Sequence, residues 1–115
     1  QQIPEMTVVG HNTATIRESL LEKAFELGEK FITASKEHYD PGIIGPFCLQ
    51  TCIDKDMNYS IYDVAPRLGG GTNVHVSVGH PYGNATWRQP VSSGRRIAME
   101  LRRAAEQDRL LEVLT

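Results

Sequence analysis

The sequence has few of the features that mark secreted, membrane-bound or nucleic-acid-binding proteins. It has two cysteines and one tryptophan in 115 residues, and its formal net charge is −2. A chain with no net positive charge lacks the field that attracts nucleic acid or an anionic membrane surface. It also lacks an apolar run of about 18 residues, so we expect no membrane-spanning helix. Its 40% hydrophobic and 23% charged residues are typical of a soluble globular protein, which we expect to be cytoplasmic.

The two cysteines predict neither a disulfide nor a zinc site. Cys48 and Cys52 are four residues apart on a predicted strand, which separates them by about 13 Å at the usual rise of a strand. That distance is too long for a disulfide within the strand. The spacing also differs from that of a Cys-x-x-Cys zinc site, and there is no second pair of cysteines. We expect both residues to be reduced thiols.

Two apolar segments separated by turn-forming residues predict a β-hairpin. The hairpin spans 45–65: the first segment is 45–53, turn-forming residues lie at 54–58, and the second segment carries the apolar run that starts at Ile61. If the hairpin is centred between residues 56 and 57, Gln50 lies opposite Asp63, with Cβ atoms about 4.5–5.5 Å apart. Two side-chain oxygens at that separation can share a Mg²⁺ ion. The alternative is that both side chains satisfy only local backbone groups, and the residues alone do not choose between them.

A pattern suited to phosphate follows the second strand. Arg67 precedes three consecutive glycines at 69–71, and Thr72 and Asn73 come next. Arginine binds phosphate through a bidentate fork, and glycine lets backbone N–H groups approach a ligand. No Gly-Lys-Ser/Thr follows, so this is not a Walker loop. The pattern indicates a metal–nucleotide phosphate site, although Arg67 could instead pair with Asp63 without any metal.

This hairpin resembles the metal-binding hairpin of ATP-grasp ligases, which carry Glu-x-Asn-Pro-Arg on the second strand. Gln50 matches the first metal ligand, Asp63 matches the glutamate, and Pro66-Arg67 matches the Pro-Arg. Ala65 stands where those enzymes usually have asparagine. Further segments are similar to the C-terminal part of the archaeal-type FAICAR synthetases, which are formate-dependent ligases of purine biosynthesis. These segments are Gly10-His11, 16–20, 44–50, 71–73, 81–82 and 93–98.

The resemblance implies an ATP-dependent ligase that formylates AICAR with formate through a formyl phosphate intermediate. It implies Mg²⁺ (or Mn²⁺) held by Gln50 and Asp63, with Arg67 stabilising the transferred phosphoryl group. The residues that it assigns to nucleotide or substrate binding are Gly70, Gly71, Thr72, Asn73 and His80.

Members of that family are much longer than 115 residues. We therefore expect this chain to be a fragment, inactive alone, that acts with an upstream lobe of the same protein and forms homo-oligomers. The departure from the pattern at Ala65 leaves two alternatives open. One is a paralogous ligase with another substrate, and the other is a non-catalytic assembly module with the same fold.

The remaining elements predict one α+β domain over residues 1–115, in which helices flank an antiparallel sheet that contains the hairpin. As part of the resemblance, this would be the C-terminal part of an ATP-grasp fold. A capping box at Thr15–Glu18 predicts the start of a helix that ends before 40–42. We expect short strands at 6–10 and 73–78 and a loop at 79–84. The last helix is capped by Ser92 or Ser93 and carries an inward stripe formed by Ile97, Leu101, Ala104 and Ala105.

Overall fold

The computed structural model of the chain describes residues 3–5 and 7–114. The elements, in chain order, are α1 (Glu18–His38), β1 (Cys48–Ile53), β2 (Tyr59–Ala65), a 3₁₀ helix (Gly70–Val74), α2 (Pro81–Trp87), α3 (Ser93–Glu106) and a second 3₁₀ helix (Leu110–Val113). The two strands form an antiparallel sheet, and helices precede and follow it. The predicted α+β class is therefore confirmed.

Helix α1 ends where the sequence predicted but begins later. Its N-cap is Arg17, and no side chain caps it. The predicted capping box is wrong, because a Thr15 cap requires the helix to begin at the next residue and α1 begins at Glu18. At the other end the N–H of Tyr39 donates to the carbonyl of Ser35, and Gly42 has a positive φ of 94°. Glycine tolerates that conformation, so the chain can turn away from the helix at this point.

The hairpin has the predicted pairing at Gln50, but a β-bulge produces it. Near the turn Ile53 pairs with Tyr59, and the register shifts between Gln50 and Thr51. The shift leaves Tyr62 unpaired, so Gln50 pairs with Asp63. Without the bulge Gln50 would face Tyr62. The prediction that Gln50 lies opposite Asp63 is confirmed, although the turn is centred at residue 56 and not between 56 and 57.

The turn of the hairpin is held by an aspartate. One carboxylate oxygen of Asp54 accepts hydrogen bonds from the backbone N–H groups of Asp56 at 2.9 Å and Asn58 at 2.8 Å. These bonds favour the ionised carboxylate, and the pKa of Asp54 is lowered, most strongly by the backbone N–H of Asn58. These local bonds hold the turn and so support the pairing of the residues next to it, Ile53 and Tyr59.

Two contacts join α1 to the hairpin. The hydroxyl of Tyr59 donates to the carbonyl of Leu20 at 2.9 Å. The rings of Phe31 and Phe47 lie with their centroids 4.9 Å apart. One contact lies at the start of β2 and the other just before β1, so α1 lies along the hairpin.

The predicted strands at 6–10 and 73–78 are wrong for the residues that can be assessed. Residues 7–10 form no strand, and Met6 lies outside the described residues. Residues 70–74 form the 3₁₀ helix, and a turn follows as far as Val78. The N–H of His75 donates to Thr72 and that of Gly79 donates to His75, whereas the carbonyl of Val76 accepts from the N–H of Ser93. These bonds hold the segment in a turn and not in a ladder with β1 or β2.

The predicted loop at 79–84 is also wrong from Pro81 onward, because helix α2 begins there. Pro81 occupies the first turn of α2, where its missing N–H costs nothing. His80 is the N-cap, and its Nδ1 accepts a hydrogen bond from the N–H of Tyr82 at 3.3 Å. Because the N-cap is a histidine and not the usual Ser, Thr, Asp or Asn, the sequence pattern did not predict this helix start.

Helix α3 begins at the predicted cap. The hydroxyl of Ser92 accepts a hydrogen bond from the N–H of Arg95 at 3.2 Å. The predicted inward stripe is confirmed only in part: Ala104 is buried and Leu101 is half-buried, whereas Ile97 and Ala105 are exposed.

Little of the apolar surface is covered. Among the described residues, the buried hydrophobic side chains are those of Ala65, Val91 and Ala104. Within the same part of the chain, no helix combines the length and hydropathy needed to cross a membrane. That the chain is one domain stays a prediction.

Candidate functional site

The candidate metal ligands lie side by side on one face of the hairpin. Cys48 pairs with Ala65 and Gln50 pairs with Asp63, and residues two apart on a strand share a face. We call this set of four residues the hairpin face. Gln50 is half-buried and Asp63 is exposed, whereas Ala65 is only 5% exposed.

Within the described residues the carboxylate of Asp63 forms no ion pair and accepts no hydrogen bond from a side chain. The ion pairs of this part of the chain join Arg96 to Glu100, Arg102 to Glu106 and Arg109 to Glu112. The guanidinium of Arg67 donates instead to the carbonyl of Leu68 at 2.9 Å. The alternative in which Arg67 neutralises Asp63 is therefore not realised in this structure.

The donor set of the hairpin face suits part of a Mg²⁺ site. Mg²⁺ prefers oxygen ligands and is usually held by one or two protein carboxylates, with water and substrate phosphates completing its coordination. Gln50 and Asp63 each offer a side-chain oxygen. Among the described residues, no group of three or more His, Cys, Asp or Glu side chains could hold a metal ion. Ala65 adds no ligand, so any further ligands must come from outside this face.

A glycine contact places the 3₁₀ helix beside the hairpin face. A Cβ atom at Gly69 would lie 2.6 Å from Sγ of Cys48, which no real side chain could tolerate without movement. Glycine therefore allows the chain after Arg67 to pack directly on the start of β1. The predicted nucleotide-binding residues Gly70, Gly71, Thr72 and Asn73 all belong to this 3₁₀ helix. Thr72 is half-buried and Asn73 is exposed.

His11 lies against the same glycines, and the site predictions missed it. A Cβ atom at Gly71 would lie 3.5 Å from Cδ2 of His11, and one at Gly70 would lie 3.8 Å from its Nε2. His11 belongs to no predicted element, and about sixty residues separate it from the glycines. The only signal in the sequence was its place in the Gly10-His11 pair that contributed to the resemblance.

His80 lies in a different environment from the hairpin face. Its ring stacks on Tyr82 with centroids 5.3 Å apart and meets His75 edge-on at 5.5 Å. Burial, and secondly the neighbouring His75, lowers the pKa of His80 below the usual value for histidine. None of the described contacts joins His80 to Gln50 or Asp63, so the structure separates this predicted residue from the candidate metal ligands.

The fold and the hairpin together define a class. The α+β arrangement, with helices before and after an antiparallel hairpin, is that of the C-terminal part of an ATP-grasp fold. The model of the family described as a domain of unknown function (DUF1297) matches residues 1–115, so the chain belongs to that family.

Curated relatives agree with this assignment. One from Saccharolobus solfataricus is 42% identical over 97% of this chain, and one from Methanobrevibacter smithii is 38% identical over the same share. Both are named 5-formaminoimidazole-4-carboxamide-1-(beta)-D-ribofuranosyl 5'-monophosphate synthetase. The chain covers 33% and 31% of these two relatives, which is about a third of their length.

A solved structure supports the fold. The crystal structure of an IMP biosynthesis protein PurP from Thermococcus kodakaraensis superposes with a TM-score of 0.80 at 38% sequence identity. The match covers 99% of this chain and 37% of that one. The resemblance to FAICAR synthetases over nearly the whole chain is thereby confirmed.

Proposed function

We propose that this segment supplies one side of the Mg–ATP site of a ligase that formylates AICAR with formate. The observation that carries the proposal is the direct pairing of Gln50 with Asp63. The pairing holds two hard oxygen donors on one face and leaves the carboxylate without an ion pair among the described residues. The names of the relatives, which are synthetases of the formylated product, support the choice of reaction.

The residues around the pair suit a phosphate-bearing substrate. Arg67 is exposed and lies two residues beyond Ala65, so its guanidinium can turn toward an anion beside the hairpin face. Its fork matches the oxygens of a phosphoryl group. A bound Mg²⁺ would neutralise phosphate charge there. Thr72 and Asn73 would then face the substrate from the 3₁₀ helix.

The experiment measures Mg²⁺-dependent nucleotide binding and ADP release by the longest native polypeptide that contains this segment. We expect release from Mg-ATP to require both formate and AICAR. Nucleotide binding without turnover on these substrates would point to a ligase for another carboxylate or amine. Absence of nucleotide binding would contradict the proposal.

One observation favours a second candidate, a non-catalytic assembly module. Ala65 is buried and packs in the place where the ATP-grasp pattern has an asparagine ligand. A face that has lost one ligand could have lost metal binding altogether. This candidate predicts no Mg²⁺-dependent nucleotide binding by the longest native polypeptide, so the same experiment separates the two.

A further inference from the structure

A thiol lies on the hairpin face beside the two proposed Mg²⁺ ligands, and the proposed function gives it no role. Cys48 is a free cysteine and is half-buried. It precedes Gln50 by two residues on β1 and pairs with Ala65, which follows Asp63 by two residues on β2. The bulge lies on the turn side of these four residues, so the alternation of side chains is regular across them. Cys48 and Asp63 are therefore diagonal neighbours on one face.

The diagonal separation suits a shared cation. Diagonal neighbours on an antiparallel pair are about 7–8 Å apart, and their Cβ atoms are somewhat closer. A zinc ion lies about 2.3 Å from a thiolate sulfur and about 2.0–2.2 Å from a carboxylate oxygen. Because the sulfur is one bond from its Cβ and the carboxylate oxygens are two bonds from theirs, one ion can bridge Cys48 and Asp63. Gln50, next to Cys48 and opposite Asp63, brings an amide oxygen to the same place.

The sulfur of Cys48 is not enclosed by a side chain at Gly69. The position that a Cβ would take at Gly69 lies 2.6 Å from Sγ of Cys48 and 4.0 Å from Oγ1 of Thr72. Because Gly69 has no side chain, that position is open between the thiol and the hydroxyl. A cysteine places its sulfur by rotation about a single bond, in one of three staggered positions. The thiol can therefore turn between the 3₁₀ helix and the hairpin face.

The donor atoms on this face differ in the cations that they prefer. Mg²⁺ takes oxygen ligands, whereas thiolate sulfur is a ligand for Zn²⁺ and for other soft or borderline ions. Cu⁺ and iron–sulfur clusters are held mainly by sulfur, and this face offers one sulfur only. Zn²⁺ accepts sulfur and carboxylate oxygen together, and a site with three protein ligands keeps a position for water. One sulfur and two oxygens thus suit an ion of the zinc class.

We propose that the hairpin face is also a binding site for a thiophilic divalent cation of the zinc class. The thiolate of Cys48 and the carboxylate of Asp63 hold the ion, and the amide oxygen of Gln50 is the third protein ligand. The thiol of Cys48 gives its proton to water as the cation binds. This ion and Mg²⁺ both need Asp63, so each excludes the other. Binding follows from the geometry of the hairpin face, whereas inhibition of the Mg–ATP site rests on the proposed function.

Cadmium is the probe, because a cadmium–thiolate bond gives an ultraviolet charge-transfer band. The longest native polypeptide that contains this segment is titrated with Cd²⁺ without nucleotide. We expect a saturable band that is lost in Cys48→Ser. The matched control is Cys52→Ser, the same change at an exposed cysteine of the same strand, which pairs with Ser60 and not with a carboxylate. This control should keep the band. Equal spectra for Cys48→Ser and the wild type would overturn the proposal.

A second variant tests the carboxylate while the thiol stays in place. Asp63→Asn should weaken Cd²⁺ binding at least about tenfold, since it removes a charged ligand. Asp56→Asn, in the turn of the same hairpin, should leave Cd²⁺ binding unchanged. Wild-type affinity for Cd²⁺ in Asp63→Asn would contradict a site shared by Cys48 and Asp63.

Competition with Mg²⁺ separates this inference from the proposed function. Cd²⁺ should weaken Mg²⁺-dependent ATP binding at least about tenfold more in the wild type than in Cys48→Ser. An equal effect of Cd²⁺ on the two proteins would contradict competition at this face. If the polypeptide bound no nucleotide even without Cd²⁺, the proposed function would fail, and the cadmium titrations would still decide whether the cation site exists.

Discussion

The hairpin face and the cleft between α2 and α3 differ in the side-chain atoms that they leave without partners. On the hairpin face these atoms are the oxygens of Gln50 and Asp63, which accept hydrogen bonds or bind cations. The cleft is lined by apolar side chains such as those of Val91 and Leu101. Its unpartnered atom among the described residues is the buried indole Nε1 of Trp87, which can only donate. Side-chain oxygens suit a metal and its phosphate ligand, whereas the buried Nε1 of Trp87 is closed to a ligand.

Both regions also depend on a glycine that admits a close neighbour, but the two glycines differ in backbone conformation. Gly79 has φ of 79° and packs against Val91 and Asn84 in the cleft region. Gly69 has φ of −69° and packs against Cys48 beside the hairpin face. Substitution at Gly79 therefore meets both strain and collision, whereas substitution at Gly69 meets collision alone.

The largest effect on stability is expected for Gly79→Ala. The new Cβ would collide with the carbonyl oxygen of Val91 and lie 2.5 Å from Oδ1 of Asn84, in a conformation that alanine disfavours. Asn84 holds this region by accepting from the N–H of Val91 at 3.0 Å. We expect a loss of about 3 kcal/mol or more in the free energy of unfolding. Chemical denaturation of the longest native polypeptide measures it.

The control is Gly83→Ala, in helix α2, where a Cβ meets nothing within 4 Å. It should be neutral or stabilise by up to about 1 kcal/mol. A loss below about 1 kcal/mol for Gly79→Ala would show that the cleft region is not packed as described.

A smaller loss is expected for Gly69→Ala. Its Cβ would lie 2.6 Å from Sγ and 3.2 Å from Cβ of Cys48, but its backbone conformation is open to alanine. We expect a loss of about 1–2 kcal/mol from overpacking. Thermal or chemical unfolding measures it, with Gly28→Ala as the control.

Gly28 lies inside α1 with nothing within 4 Å of a new Cβ. Alanine there should raise the free energy of unfolding by about 0.5–1 kcal/mol. If both variants stabilised the protein, the contact between the glycine loop and β1 would be wrong.

The smallest expected effect is a pH dependence of the free energy of unfolding. It concerns His80, which lines the cleft and is not part of the hairpin face. The pKa of His80 in the folded state is lowered from 6.5, first by burial and then by His75. The unfolded chain therefore binds the proton more readily, so the stability contributed by neutral His80 is present above pH 6.5 and is lost as pH falls through the lowered pKa. Protonation also removes the Nδ1 acceptor that caps α2.

The variant His80→Asn keeps an N-cap acceptor and removes the titration. We expect the free energy of unfolding of this variant to fall less than that of the wild type between pH 7.5 and pH 5. Denaturant titrations at several pH values test this. Parallel curves for the two proteins would rule out His80 as the source.

The hairpin could be predicted from the sequence because local chemistry determines it. Turn-forming residues at 54–58, with Asp54 bonding two backbone N–H groups, lie between two apolar segments. That turn alone would place Gln50 opposite Tyr62, and its pairing with Asp63 depends on the bulge. The bulge at Tyr62 could not be predicted, since it depends on how the strands twist and pack rather than on any one residue. The register was predicted correctly only because the bulge restores it.

The segment from Asn73 to Asn84 could not be predicted for a different reason. Its alternating Val and polar residues are typical of a strand, but a strand needs a partner edge, and the backbone bonds of this segment run to the turn itself and to Ser93. His11 lies against Gly70 and Gly71, which are far from it in the chain, and no spacing pattern in the sequence predicts this contact. The hairpin part of the site could be predicted because its residues are close in the sequence. The contact of His11 with the glycines could not, because it joins distant segments.

The measurement that tests the central claim most directly is Mg²⁺-dependent ATP binding by the longest native polypeptide with Asp63→Asn. The matched control is Asp56→Asn, the same chemical change at an exposed residue in the turn of the same hairpin. We expect Asp63→Asn to weaken Mg²⁺-dependent binding at least about tenfold, since it removes a charged ligand. Asp56→Asn should leave binding unchanged. Wild-type affinity in the Asp63→Asn variant would contradict the assignment of the hairpin face as a metal–phosphate site.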